Sequence, residues 1–165
     1  MPTGHFLGGI AAAIWSPESE HYLLLHRSEN KDFGAGIWEC LTGRVDQGEG
    51  FEQALHREIQ EELGVSAQAV ALLGTTHFYR GATSTENELL GVVYLCTLPE
   101  TETITLSREH SEYSWLTSQE SLILLSASDP GTRWAHLVIE RAEIIRPLLS
   151  RGILTFQQTH GFELG

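Results

Sequence analysis

Residues 43–65 read GRVDQGEGFEQALHREIQEELGV. Apolar side chains recur at Phe51, Leu55, Ile59 and Leu63, with Ala54 beside them. That spacing predicts a helix with one buried stripe. Gly48 and Gly50 interrupt regular structure before Phe51, and Gly64 stands where a left-handed helix cap favours glycine. The helix is therefore expected over residues 50–63. Glu58, Glu61 and Glu62 fall at i, i+3 and i+4, so they share one face at the edge of the stripe. Glu52, Gln53, His56 and Gln60 occupy the opposite arc and should face water. Each like-charged pair destabilises a bare helix by roughly 0.2–0.5 kcal/mol, and a divalent cation reverses that sign. Hard oxygen donors without clustered His or Cys suit Mg²⁺ or Mn²⁺ better than Zn²⁺. A solvated acidic face is the competing reading. Two features favour metal: the carboxylates border the apolar stripe, and Arg57 lies four residues before Glu61, placed to hold one carboxylate while others take an ion.

The rest of the chain sets limits. A length of 165 residues suits one domain with a real core. Apolar residues make up 41% and charged residues 19%, ordinary values for a soluble globular protein. The formal charge is −12, with Lys31 and nine arginines as the only basic side chains apart from histidine. Such a balance excludes a general binder of nucleic acid or anionic membrane. A phosphate-bearing substrate would need local help from metal ions and a few arginines. Cys40 and Cys96 both sit in apolar surroundings and read as buried reduced thiols. The opening MPTGHF lacks a signal peptide's positive flank, and the apolar run to Trp15 is too short to span a bilayer. A cytoplasmic protein, monomeric or homodimeric, is expected.

Residues 6–15 and 21–27 read as a strand hairpin turned at Ser16-Pro17-Glu18. Residues 29–36 should be a loop, and residues 38–45 a short strand leading into the helix. Two β-prone runs follow, 67–79 and 88–98, separated by the polar loop 80–87. The second is the longest apolar strand and should be central. Residues 99–108 cross back to a short strand at 113–116. Thr117 is expected to cap a short helix through Leu125. Residues 131–149 carry Trp134, Leu137, Val138, Ala142, Ile145 and Leu148 at helical spacing. The last fifteen residues give no pattern. Strands alternating with helices around one sheet predict an α/β sandwich.

The fixed positions Gly43, Glu49, Arg57, Glu58, Ile59, Glu61, Glu62, Gly64 and Val65 resemble the complete signature of the Nudix hydrolases. The resemblance implies an α/β/α sandwich around a mixed sheet, and Mg²⁺-dependent (or Mn²⁺-dependent) hydrolysis of a nucleoside diphosphate linked to another moiety. It implies that Glu58 and Glu62 bind metal, helped by Glu61 and the carbonyl of Gly43, and that Arg57 orients a glutamate. Glu49 would brace the loop or bind a second ion. Thr42-Gly43 and the run Glu109-His110-Ser111-Glu112-Tyr113-Ser114-Trp115-Leu116 resemble the branch that hydrolyses dihydroneopterin triphosphate and dATP. That match implies Glu109 as general base, with Glu58 and Glu61 as rivals. A (d)NTP or dihydroneopterin triphosphate is then the leading substrate. Nucleotide sugars, dinucleoside polyphosphates and ADP-ribose remain alternatives, as do a non-hydrolytic nucleotide-binding regulator and an isomerase.

Other residues offer candidate substrate contacts. Arg27 and Arg44 suit phosphate oxygens, with surface salt bridges as the competing reading. Trp38 and Tyr79 are candidates for stacking on a base, against plain packing, and Trp38 is the expected substrate contact of the two. Gly50 replaces a common Ser or Thr cap at a cost of a few tenths of a kcal/mol. His110 reads as a polar loop histidine.

Overall fold

The computed structural model describes residues 4–30 and 34–165. The loop expected over 29–36 is thus described only at its ends, because Lys31 and its two followers lie outside the described residues, as do residues 1–3.

Strand β1 (Leu7–Ser16) is the hub of a seven-stranded mixed sheet. Its sequence LGGIAAAIWS is small and apolar on both faces, which suits a strand covered from both sides. One edge runs parallel to β6 (Glu88–Thr97), from Leu7 opposite Leu89 to Trp15 opposite Thr97. The other edge is shared. Its first half pairs antiparallel with β4 (Leu41–Arg44), and its last residues pair with β2 (His21–Arg27). Beyond β6 lies antiparallel β5 (Gln68–Tyr79). Strand β2 also pairs with β3 (Trp38–Glu39) and β7 (His110–Leu116).

Alternation along β1 divides the core into two layers. Ile10, Ala12 and Ile14 face α1 (Phe51–Leu63), where Ala54, Leu55, Ile59 and Leu63 close the layer. Ala11, Ala13 and Trp15 face α3 (Pro130–Ile145), which contributes Ala135, Val138, Ile139 and Ala142. Each fully buried Leu or Ile stabilises such a layer by roughly 1.5–3 kcal/mol. The result is the expected α/β/α sandwich. Helix α2 (Ser118–Leu124) starts at the predicted Thr117 with a reciprocal capping box to Glu120.

Four details depart from the sequence reading. The expected strand 38–45 is two strands, because the chain changes partner from β2 to β1 at buried Cys40. β6 is interior, as its apolarity predicts, but three strands meet at β1. The helix expected over 131–149 ends at Ile145, and a 3₁₀ turn (Arg146–Leu148) follows around Pro147, which has no N–H to continue it. Finally, α4 (Arg151–His160) occupies a stretch that gives no sequence pattern; Ser150 Oγ caps it by accepting the Ile153 N–H at 3.2 Å.

Both cysteines are free and buried. Burial pushes the Cys40 thiol up to about 12, so it stays protonated. Among the described residues no helix is long and apolar enough to cross a membrane.

Candidate active site

Helix α1 packs its apolar stripe on the sheet and so turns Glu58 toward β4. The approach is close. A Cβ on Gly43 would stand 2.2 Å from the Glu58 carboxyl carbon, so only glycine leaves room for that carboxylate. Glu58 Oε1 accepts the Arg44 backbone N–H at 3.1 Å. Burial raises the Glu58 pKa, and neighbouring Glu61 adds to the rise; Arg57 and the Arg44 N–H oppose it without cancelling it.

Arg57 organises this group. Its Nε donates to Glu49 Oε1 at 2.8 Å and its Nη2 to Glu49 Oε2 at 2.9 Å. Nη1 donates to Glu58 Oε1 at 2.9 Å and Glu61 Oε2 at 3.2 Å, and Nη2 also donates to the Arg44 carbonyl at 2.8 Å. These bonds use every N–H that a guanidinium offers. Glu49 also accepts the Asp46 N–H at 3.0 Å, so it braces the loop before α1. The Arg57 bond, seconded by the Asp46 N–H, holds the Glu49 carboxyl down at about 2. The expected Arg57–Glu61 contact is present, but Glu49 is the main partner.

Glu62 has a second set of partners, on the β7 side. Its Oε2 accepts from Ser107 Oγ and lies 3.1 Å from His110 Nδ1. His110 Nε2 lies 3.0 Å from Glu39 Oε1, and Arg27 Nη1 donates to the same oxygen at 3.1 Å. His110 is therefore no loop residue: it opens β7 with its side chain 2% exposed, between two carboxylates. Burial alone would lower its pKa, but bonds to Glu39 and Glu62 outweigh that and raise it. Sequence reasoning misses Glu39 and Ser107 as well. The available signal is a carboxylate at position 39, beside the buried Cys40.

Glu109 is held by its backbone, whose N–H donates to Ser107 Oγ at 3.0 Å and whose carbonyl accepts the Ser28 N–H at 2.9 Å. Its carboxylate is partly exposed and lies 4.0 Å from Arg27 Nη1. The shared Ser107 thus joins Glu109 to Glu62. Arg80, in the β5–β6 loop, is another residue that sequence reasoning misses. Burial lowers its pKa, and Arg44 and Arg27 lower it further while Glu109 opposes them. Three guanidiniums and one carboxylate therefore share one electrostatic neighbourhood. Trp38 stands apart from it: its ring lies 5.1 Å from that of His26 and packs with the α3-side layer.

The donors suited to a hard divalent ion are the carboxylates of α1 and the carbonyl of Gly43. Among the described residues, no three His, Cys, Asp or Glu side chains converge as a ready cage. The donor chemistry nevertheless fits Mg²⁺, which is bound through one or two carboxylates and completes its shell with water and substrate phosphate. Glu58, seated in the space that Gly43 leaves, and Glu61, its side chain 58% exposed, share Arg57 Nη1 and offer two such carboxylates on one face.

A sandwich with a carboxylate-bearing helix braced by one arginine defines a class of hard-metal site on an α/β/α fold. The NUDIX domain model matches residues 6–135, and the chain belongs to the Nudix hydrolase family. It is 30% identical over 112 residues to a nucleoside triphosphatase NudI from Klebsiella pneumoniae, covering 61% of this chain and 75% of that protein. It is 33% identical over 63 residues to the dihydroneopterin triphosphate diphosphatase of Escherichia coli, covering 38% of this chain and 39% of that one. The chain spans 39% of Nudix hydrolase 6 from Arabidopsis thaliana, at 24% identity. A MutT protein from Methanosarcina mazei superposes with a TM-score of 0.69 at 26% identity, over 88% of this chain and 99% of that one.

Proposed function

We propose that this chain is a Mg²⁺-dependent pyrophosphohydrolase, with Mn²⁺ as a substitute ion. It would cleave a phosphoanhydride in a nucleoside diphosphate linked to another moiety. The leading substrate is a (d)NTP or dihydroneopterin triphosphate, giving a monophosphate and pyrophosphate. The observation that carries the reading is the Arg57 hub, which holds Glu49, Glu58 and Glu61 around Gly43. The names of the NudI and dihydroneopterin triphosphate relatives support the substrate class. Two buried free thiols suit a reducing, cytoplasmic setting.

Glu58, Glu61 and Glu62, with the Gly43 carbonyl, would hold the ion. When bound, Mg²⁺ supplies charge neutralisation on phosphate oxygens and a more acidic water. Arg57 fixes the orientation of Glu58 and Glu61. Arg27 and Arg44, joined by Arg80, bind nonbridging phosphate oxygens. Glu109 takes the proton of the attacking water as its oxygen bonds to an internal phosphorus. The bridging P–O bond breaks and pyrophosphate leaves with the bond's electron pair. Trp38 is the aromatic candidate for stacking on the base.

Incubation with a nucleotide panel and Mg²⁺ tests the reading. Pyrophosphate and a monophosphate should appear, and Glu62→Gln should lose turnover by orders of magnitude while remaining folded. Orthophosphate alone would replace the reading with a phosphatase. Tight nucleotide binding without any product would replace it with a regulator.

A further inference from the structure

Helix α1 begins without the side-chain cap that helices ordinarily use. Gly50 makes no capping bond. The missing acceptor comes from another part of the chain. Glu163 Oε1 accepts the Glu52 backbone N–H at 3.2 Å. In return, Glu52 Oε2 accepts the Phe162 backbone N–H at 2.8 Å. This is the reciprocal logic of a capping box, built between segments more than a hundred residues apart.

Two glycines make the exchange possible. A Cβ on Gly50 would stand 2.1 Å from Glu163 Oε1, and a Cβ on Gly161 would stand 2.7 Å from Glu52 Oε2. Gly161 also adopts φ 68°, ψ −163°, a backbone region open essentially to glycine alone. Between them Phe162 sets its ring edge-on to buried Tyr94, 5.6 Å between centroids, against the α1-side core. Two carboxylates at the start of α1 also complement its dipole. The C-terminal half of the clamp, Gly161 to Glu163, lies beyond the residues matched by the family model, which ends at residue 135.

We propose that Glu163 is a positioning residue for the acidic helix, standing in for the absent cap at Gly50. Gly50 directly follows Glu49, the carboxylate that receives the Arg57 fork. Fixing the first turn therefore fixes the loop that orients Arg57, Glu58 and Glu61. The clamp rests on geometry alone; its effect on the ion rests on the function proposed above.

The test is a cycle of Gly50→Ser and Glu163→Ala in the full chain, read on metal-free protein and by Mn²⁺ titration. Glu163→Ala should speed hydrogen exchange at the amides of residues 51–53 by about fivefold to tenfold. It should lower Tm by about 2–4 °C. It should also weaken the Kd for Mn²⁺ a few-fold. Gly50→Ser should lower Tm in the native background, where its Cβ meets Glu163. It should raise Tm in the Glu163→Ala background, where the serine supplies its own cap. A Gly50→Ser shift of the same sign in both backgrounds overturns the clamp, as does unchanged exchange at 51–53. An unchanged Mn²⁺ Kd with a lowered Tm overturns the positioning role. Failure of the unaltered protein to bind Mn²⁺ overturns the metal-dependent reading, whatever the metal-free cycle shows.

Discussion

Arg57 and Glu49 form a two-point fork, with Nε and Nη2 donating to the two carboxylate oxygens at 2.8 and 2.9 Å. The fork spans eight residues, from the loop before α1 to its second turn. It leaves Nη1 for Glu58 and Glu61, so one planar group sets the spacing of three carboxylates. Lysine offers a point charge and no fixed plane. Arg57→Lys should therefore keep the charge and lose the geometry. At about 1.5–3 kcal/mol per charge-assisted bond, kcat/KM should fall at least tenfold to a hundredfold. Steady-state kinetics with the best substrate of the panel check this, and an unchanged kcat/KM would remove Arg57 from its organising place.

Gly43→Ala probes the seat of Glu58. The added methyl would meet the Glu58 carboxyl carbon at 2.2 Å, so the carboxylate must leave its place beside Gly43 and the Arg44 N–H. A displacement of about 1 Å at such a site can cost a hundredfold in rate. Overpacking of this kind destabilises by about 1–3 kcal/mol, so the fold should persist. Activity and a thermal melt together give the answer. Full turnover with a normal melt would mean that Glu58 works from another position.

The acidic helix is legible in sequence because independent local signals coincide there: the stripe Leu55–Ile59–Leu63 with Ala54, the glycine at position 64 and the acidic spacing; Phe51, expected to open the buried stripe, is exposed on the first turn. The other departures are tertiary in origin. No breaker divides Trp38 from Val45; the split at Cys40 arises because β1 shares one edge between two partners. Ile153, Leu154 and Phe156 are the only large apolar side chains of α4, and Ile153 and Phe156 remain exposed, so the segment is too short and too weakly apolar to stand out in sequence. His110 finds its acidic partners 48 and 71 residues away, a distance at which no local pattern could show them.

That buried histidine predicts a pH signature. Its pKa is raised in the folded state, so its favourable contribution is fully present below the unfolded value of about 6.5. The contribution is lost as pH rises through the folded pKa. The metal-free protein should therefore lose a His110-dependent part of its stability as pH rises above the unfolded value and through the folded one. His110→Gln should lack that part, so the Tm gap between the two proteins should narrow as pH rises. A gap that stays constant, or widens, would contradict a protonated histidine between Glu39 and Glu62.

The last prediction assigns the general base. Glu109 is fixed at its backbone by Ser107 and Ser28, while its partly exposed carboxylate stands beside Arg27. Ser107 also donates to Glu62, so the loop that carries Glu109 is tied to the acidic helix. A carboxylate in that place can accept the proton of an attacking water without leaving the arginine that steadies it. Glu109→Gln keeps size and hydrogen bonding but accepts no proton. It should lower kcat by about 10²–10⁴-fold, leave KM within a few-fold, and leave Mn²⁺ binding intact. Glu112→Gln is the control: it lies three residues on, within β7, with an exposed side chain opposite His26. Parallel kinetics on Glu109→Gln, Glu112→Gln and Glu61→Gln separate the candidates. If Glu109→Gln turns over at the full rate while Glu61→Gln or Glu112→Gln does not, the proton goes to that other carboxylate.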